Sequence, residues 1–121
     1  MPKSGVAFGK PIGEFQLIQQ KIADMIRRVE QARLLVYRLG RMKDARVERA
    51  SLEASLAKLV ASEAAVDNAL DGIQIFGAYG LAEDYEIGRL LLEAKALTLG
   101  EGTSELHTKL IAEYALGLRR A

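Results

Sequence analysis

Both prolines of this chain lie near its N-terminus, at positions 2 and 11 of 121 residues. Proline interrupts a helix because it lacks the backbone donor and clashes with the preceding turn, so nothing after Pro11 prevents long helices on this ground. From Glu14 onward apolar residues recur at steps of three and four, the spacing of the buried face of an amphipathic helix. No segment shows the alternation typical of a half-buried strand. The chain is therefore predicted to be all-α.

The apolar pattern divides the chain into two long and two shorter helices. The first is predicted over residues 14–40 and ends at Gly40, because glycine is a common C-terminal stop. The second has an apolar stripe over residues 52–73 and ends at residues 76–80, the third covers about residues 87–97 and the last about 104–118. The apolar stripe of the first helix comprises Phe15, Ile18, Ile22, Met25, Ile26, Val29, Ala32, Val36 and Leu39. Long helices in a small chain are typical of bundles, so we predict a four-helix antiparallel bundle that forms a single domain over residues 1–121.

Composition and charge argue against several classes of function. The chain has no cysteine and a single histidine, His107, so disulfides, thiolate zinc sites and histidine-rich metal sites are not expected. Seventeen basic against sixteen acidic residues leave a formal net charge of +1, which creates no field that attracts nucleic acid. No apolar run reaches the roughly 18 residues of a membrane span, and the N-terminus lacks the plan of a signal peptide. We therefore expect a cytoplasmic protein that binds neither metal nor nucleic acid and does not span a membrane.

The stretch around Glu101 contains the strongest candidate for chemistry. Glu101 lies between Gly100 and Gly102, directly before the last predicted helix. Glycine on both sides allows another molecule to approach the backbone closely, and a carboxylate placed there could act as a general base. The same residues also fit a capping box in which Thr98 is the N-cap and Glu101 the third helical residue. On local sequence alone, capping is the favoured interpretation.

Two further stretches of interest lie at predicted helix ends. Residues 74–80 (QIFGAYG) combine small and aromatic residues at the end of the second helix, where they suit either a tight turn or a phosphate-bearing ligand. Residues 8–16 (FGKPIGEFQ) lead into the first helix. Each stretch by itself is more typical of a structural turn or a solvated helix start. His107, early in the last helix, is expected to be a surface or capping residue.

In order and spacing, these three stretches resemble the C-terminal domain of the flavin-dependent acyl-CoA dehydrogenase family. An FGKPI-like segment followed by FQ is present at residues 8–12 and 15–16. A segment similar to QIFGG-x-G is present at residues 74–80, with Ala78 in place of the second glycine, and EGTSE is present at residues 101–105. The resemblance extends over about residues 8–117 and implies FAD as the cofactor of the complete enzyme.

The resemblance also implies a reaction, the α,β-desaturation of an acyl thioester carried on coenzyme A or on a carrier protein. The base corresponds to Glu101, whose own backbone N–H would help to hold the thioester carbonyl. Positions near the flavin correspond to Gly102, Thr103, Ser104 and Glu105. Positions that contact the FAD of a neighbouring subunit correspond to Phe15, Gln16, Gln74, Gly77 and Ala78. A homo-oligomer is therefore implied as well.

The chain departs from the family pattern in ways that bear on activity. Gly5 stands where an arginine that contacts the FAD pyrophosphate is usual, Leu92 where arginine is frequent, and Gly100 where an aromatic residue is common. The family's N-terminal helical domain and middle β-domain, which enclose the flavin and the substrate, are absent from this sequence. We therefore expect the isolated chain neither to bind FAD tightly nor to turn over substrate. The alternative is a non-catalytic helical oligomerisation module that has kept the fold.

Overall fold

The computed structural model describes residues 5–120, which fold largely into helices. The helices are α1 (Gln16–Asp44), α2 (Ser51–Phe76), α3 (Ile87–Leu97) and α4 (Ser104–Ala115). Short 3₁₀ turns at Ile12–Glu14 and Gly77–Leu81 precede α1 and follow α2. The prediction of an all-α bundle with two long and two shorter helices is confirmed. Within residues 5–120, no helix is both long and apolar enough to cross a membrane.

The central element of the bundle is α2, on which the other three helices pack. Arg28 of α1 pairs with Asp71 near the end of α2, whereas Arg38 of α1 pairs with Glu53 near its beginning. The two long helices therefore run antiparallel. Asp71 accepts a hydrogen bond of 2.6 Å from the Arg28 guanidinium, and this hydrogen bond raises the pKa of Arg28 above its usual value.

A stripe of small residues lets α2 approach its neighbours closely. The buried residues of α2 are Ser55, Ala57, Ser62, Ala64, Ala69 and Gly72. A Cβ atom at Gly72 would lie 2.8 Å from Cδ1 of Ile87, so α3 packs at a distance that only glycine permits without rearrangement. Near the other end of α3, the Lys58 ammonium donates to the carbonyl oxygen of Leu97. These two contacts show that α3 also runs antiparallel to α2.

The first helix ends later than predicted. It continues past Gly40 to Asp44, and the predicted end at Gly40 is wrong. No heavy atom lies within 4 Å of the position that a Cβ at Gly40 would occupy, and its φ lies outside the left-handed region. The residue that caps α1 is Ala45, whose N–H donates to the carbonyl of Arg41. Glycine was therefore an insufficient stop signal because the local backbone never left the helical conformation.

Only one side of the predicted stripe of α1 faces α2. The stripe residues Met25, Ala32 and Leu39 are half-buried. Ile26, Val29 and Val36 are exposed, Ile26 by 60%. Nine apolar residues at steps of three and four form a band wide enough for two faces of a helix, and α2 covers one of them. Residues 5–120 leave the second face of α1 uncovered.

A small hairpin precedes α1, although no strand is predicted there. Its strands are β1 (Val6–Ala7) and β2 (Lys10–Pro11), paired antiparallel with Val6 opposite Pro11. The turn residues Phe8 and Gly9 both have positive φ, 51° and 81°, as a two-residue hairpin turn of the primed type requires. Two residues per strand are too few to produce a recognisable alternation, so the periodicity could not reveal it.

Candidate active site

Glu101 lies in the turn between α3 and α4, residues 98–103, which we call the Glu101 turn. Its backbone conformation is unusual. Its φ is +56°, in the left-handed region, and the following Gly102 has a φ of +93°. This conformation is costly for a residue with a side chain, because Cβ approaches the following carbonyl oxygen. The Glu101 side chain is exposed, and no ion pair to its carboxylate occurs within residues 5–120. The carboxylate is therefore available to a group outside the chain.

The capping box predicted from Thr98 and Glu101 is wrong. The N-cap of α4 is Thr103, whose Oγ1 accepts a 3.1 Å hydrogen bond from the N–H of Leu106. Thr98 is buried at the C-terminal end of α3, and its hydroxyl donates to the carbonyl of Lys95 at 2.7 Å. Because the helix begins at Ser104 and not at residue 99, Glu101 precedes the cap and has no capping function.

Two side chains from different helices hold the turn that contains Glu101. Nε2 of His107 in α4 lies 3.1 Å from the carbonyl oxygen of Glu101. Lys58 of α2 donates to the carbonyl oxygen of Gly102 at 2.8 Å and to that of Leu97 at the end of α3. The ammonium thus connects α2, the end of α3 and the turn.

Sequence reasoning missed both of these residues. His107 was expected at the surface or in a cap, and it is half-buried against the turn. Lys58 was not among the candidate residues. One signal was available for Lys58, since a single cation stands within an otherwise apolar run at residues 56–60. For His107 the sequence holds no such signal, because its contact depends on how the turn folds back on α4.

The positions expected near the flavin surround the same turn. Glu105 is exposed, and Gly102, Thr103 and Ser104 are half-buried. The Thr103 hydroxyl accepts from the helix backbone and keeps its own proton for donation. Oγ of Ser104 is buried without a hydrogen-bond partner among the described residues. Ser104 also lines a cavity of about 150 Å³ between α2 and the turn.

The positions expected to contact a second FAD lie at a different place on the bundle. Phe15 and Gln16 stand at the start of α1, and Gln74, Gly77 and Ala78 stand at the end of α2. Since α1 and α2 are antiparallel, both groups belong to the same end. Lys58 and Phe76 are separated by eighteen residues of α2, so this end lies about 27 Å along the helix from the Glu101 turn. The structure therefore separates the candidate residues into two sets.

The set at the end of α2 has the features that a polar cofactor needs. The side chains of Gln16 and Gln74 are exposed, as is Ala78. Gly77 has a φ of +63°, and no heavy atom lies within 4 Å of the position of a Cβ there, so its backbone is accessible. Both the exposed amides and the accessible backbone can form hydrogen bonds with a polar ligand. Gly5 supplies no charge, and its carbonyl accepts from the N–H of Ile12 at 2.9 Å to close the hairpin.

Comparison with known proteins identifies the family of this chain. Residues 3–116 match the sequence profile described as the acyl-CoA dehydrogenase C-terminal domain. An acyl-CoA dehydrogenase of Bacillus subtilis strain 168 is 46% identical over 115 residues, which are 95% of this chain and 30% of that protein.

Solved structures show the same relationship. The glutaryl-coenzyme A dehydrogenase in complex with glutaryl-CoA superposes with a TM-score of 0.94 and 37% identity, over 99% of this chain and 30% of that one. The FAD complex of PigA gives a TM-score of 0.89 and 36% identity, over 98% of this chain and 30% of that one. The chain thus spans about a third of the length of these relatives. It belongs to the acyl-CoA dehydrogenase family, whose C-terminal domain it matches.

Proposed function

We propose that this chain is the part of an FAD-dependent dehydrogenase that supplies the base for α,β-desaturation of an acyl thioester. Glu101 removes the α-proton. The observation that carries the proposal is the Glu101 turn, where an exposed carboxylate without an ion-pair partner within residues 5–120 is held in a left-handed conformation. The left-handed backbone fixes the carboxylate at an exposed position, and functional residues often occupy such conformations.

The reaction assigns distinct tasks to neighbouring atoms of the turn. The Glu101 carboxylate accepts the proton when the Cα–H bond of the acyl group breaks. The electron pair of the broken Cα–H bond forms the second bond between Cα and Cβ as the β-hydride departs. The backbone N–H of Glu101 donates to the thioester carbonyl and stabilises the negative charge that develops on its oxygen. FAD, when bound, supplies the acceptor for the hydride. Gly102, Thr103, Ser104 and Glu105 line its approach to the turn.

The two separated sets of residues support a shared arrangement of subunits. Residues at the Glu101 turn serve one FAD, and Phe15, Gln16, Gln74, Gly77 and Ala78, about 27 Å away along α2, serve the FAD of a neighbouring copy. The substrate is an acyl thioester of coenzyme A or of a carrier protein. One relative is solved as a complex with glutaryl-CoA and another as a complex with FAD, which supports both ligand classes for this chain.

The decisive experiment replaces Glu101 by glutamine in the flavin-loaded enzyme that contains this domain. General-base catalysis contributes about 10²–10⁴-fold, so kcat for desaturation should fall by a factor of this size. Glu48→Gln is the matched control, because it removes the same charge from an exposed residue of the connector between α1 and α2. Retention of wild-type kcat by Glu101→Gln would show that the base lies elsewhere.

The 121-residue chain alone provides a second test. Within residues 5–120 few large apolar side chains are enclosed and Glu101 is exposed, so these residues do not form a closed pocket around the carboxylate for the isoalloxazine ring or the acyl chain. We expect added FAD to remain unbound after gel filtration and an acyl-CoA to leave its absorbance unchanged. Bleaching of the flavin by the lone chain with substrate would contradict this.

A second candidate function is assembly without chemistry, favoured by the missing cation at Gly5, the exposed apolar side chain at Leu92 and the uncovered face of α1. In that case the Glu101 turn has no catalytic function. Glu101→Gln would then leave desaturation and oligomer size unchanged, whereas the base function predicts lost desaturation in an intact oligomer.

A further inference from the structure

Two consecutive backbone carbonyls of the Glu101 turn are each held by a side chain from another element. The Glu101 carbonyl meets Nε2 of His107 at 3.1 Å, and the Gly102 carbonyl accepts from Lys58 at 2.8 Å. His107 lies six residues and Lys58 forty-four residues from its partner along the chain. The turn is therefore fixed from both α4 and α2, and not by its own local hydrogen bonds alone.

These contacts act on the residue whose backbone is strained. The left-handed φ of Glu101, +56°, costs of the order of 1 kcal/mol for a residue with a Cβ and persists only where the surroundings impose it. His107 also closes the space around Gly102, since a Cβ there would lie 2.8 Å from Nε2. The imidazole thus limits both the carbonyl direction and the conformation of the turn. These in turn determine where the Glu101 carboxylate points.

The contact specifies one tautomer of His107. A carbonyl oxygen is an acceptor only, so the proton of the neutral ring must reside on Nε2. Nδ1 is then an acceptor, and it is buried without a hydrogen-bond partner among the described residues. A proton on Nδ1 would be a buried unpaired donor, which is costly. His107 is therefore suited to donate to the turn and not to exchange protons with a ligand.

We propose that His107 and Lys58 are positioning residues that hold the Glu101–Gly102 turn in its left-handed conformation and so aim the Glu101 carboxylate at the substrate. The inference rests on the proposed function, since it concerns the same base. Neither residue touches the reacting atoms. Their effect on rate follows because a displacement of about 1 Å in a catalytic group can cost about 100-fold in rate.

The test compares matched variants in the flavin-loaded enzyme that contains this domain. His107→Leu removes the donor, and kcat should fall by about 10- to 100-fold with KM within about twofold, because the displaced carboxylate and N–H of Glu101 act chiefly in the transition state. His107→Gln retains an N–H at a similar reach and should recover most of the rate. Lys58→Met should lower kcat in the same way. Wild-type kcat in His107→Leu, or a glutamine variant as slow as the leucine variant, would overturn the proposal.

A second measurement does not depend on turnover. Nitrogen NMR of the 121-residue chain should show His107 protonated at Nε2, and backbone shifts at Glu101 should carry the left-handed signature. In His107→Leu and Lys58→Met that signature should weaken while the helices stay folded. An Nδ1-protonated ring, or an unchanged turn in both variants, would overturn the proposal.

The activities of Glu101→Gln and His107→Leu together distinguish a failure of this inference from a failure of the proposed function. Full activity of Glu101→Gln overturns the base function and with it the catalytic consequence of the positioning. An inactive Glu101→Gln together with a fully active His107→Leu overturns the positioning alone.

Discussion

Two glycines flank Glu101, and the backbone requires only one of them. Gly102 has a φ of +93° and a Cβ position 2.8 Å from the His107 ring. Gly100 has no left-handed φ, and a Cβ there would make an ordinary 3.5 Å contact with the carbonyl of Ala96. The glycine at 102 therefore serves the conformation of the turn. No backbone conformation requires the glycine at 100.

This difference gives a stability prediction. Gly102→Ala should lower the free energy of unfolding by about 1–3 kcal/mol, because it adds a Cβ in a left-handed conformation against an imidazole. Gly100→Ala, two residues away, should leave it unchanged or raise it by up to about 1 kcal/mol. Urea denaturation of both variants measures the difference. Equal stability of the two variants would contradict the conformation described for the turn.

At the scale of helices, a polar cluster fixes the pairing of α1 with α2. Asp71 accepts from Arg28 at 2.6 Å and lies 3.6 Å from the Lys21 ammonium. Asn68 accepts from Arg28 and donates to the carbonyl of Met25 in α1 at 3.1 Å. A shift of either helix by one turn would separate all of these partners. The cluster thus sets a register that small buried residues alone specify poorly.

The Arg28–Asp71 ion pair of this cluster can be compared with a surface ion pair that has the same N–O distance. The Arg28–Asp71 and Arg33–Glu30 pairs both have N–O distances of 2.6 Å, but their side chains are exposed by 22% and 20% in the first and by 49% and 55% in the second. A double-mutant cycle to alanine should give a coupling of about 1 kcal/mol or more for the first pair and below about 0.5 kcal/mol for the second. Equal coupling free energies for the two pairs would show that burial does not strengthen the Arg28–Asp71 interaction.

The end of α4 provides a pH-dependent contact. Arg119 donates to Glu113 at 2.9 Å, and this hydrogen bond lowers the pKa of the Glu113 carboxyl. Because the pKa is lower in the folded chain, the stabilisation is present above the unfolded-state pKa and is lost as the pH falls through the folded-state value.

Carbon NMR titration of Glu113 tests this contact. In Arg119→Gln its pKa should rise toward the ordinary value. In Arg120→Gln, which removes the same charge from the next residue, it should change little. If the pKa of Glu113 in Arg119→Gln were the same as in the wild-type chain, the contact with Arg119 would be excluded.

At the scale of the whole molecule, the single chain encloses little of its apolar surface. The buried apolar residues among the described ones are alanines, Ala57, Ala64, Ala69 and Ala94. Large side chains on the second face of α1 are exposed, among them Ile26 by 60% and Tyr37 by 62%. Apolar surface of this extent usually meets another protein surface. This agrees with a chain that spans about a third of its relatives.

We therefore expect the chain to form a homo-oligomer in solution. Light scattering should give a mass above that of the 13.2 kDa monomer, increasing with concentration. Ile26→Lys with Tyr37→Lys should weaken association, because they charge the uncovered face. Gln20→Lys, at an exposed polar position of α1, should leave it intact. A strict monomer at high concentration would contradict the expectation.

Apolar spacing and short sequence segments were sufficient to predict the helices and the family. Apolar spacing of three and four and the absence of proline after residue 11 predicted all four helices. The glycine-bearing segments at residues 77–80 and 100–102 marked the ends of α2 and α3, whereas Gly40 did not mark the end of α1. The resemblance of residues 101–105 to a segment of the family also marked Glu101 as the candidate base. These properties depend on near neighbours along the chain, which the sequence shows directly.

Tertiary structure decided what depends on distant residues. It showed which face of α1 is covered, placed the cap of α4 at Thr103 and not at Thr98, and separated the two sets of candidate cofactor positions along α2. Above all, it brought Lys58 to a carbonyl forty-four residues away and set His107 against Glu101. A contact of this kind exists only once helices have packed, since neither periodicity nor composition specifies which side chain will meet a given backbone carbonyl.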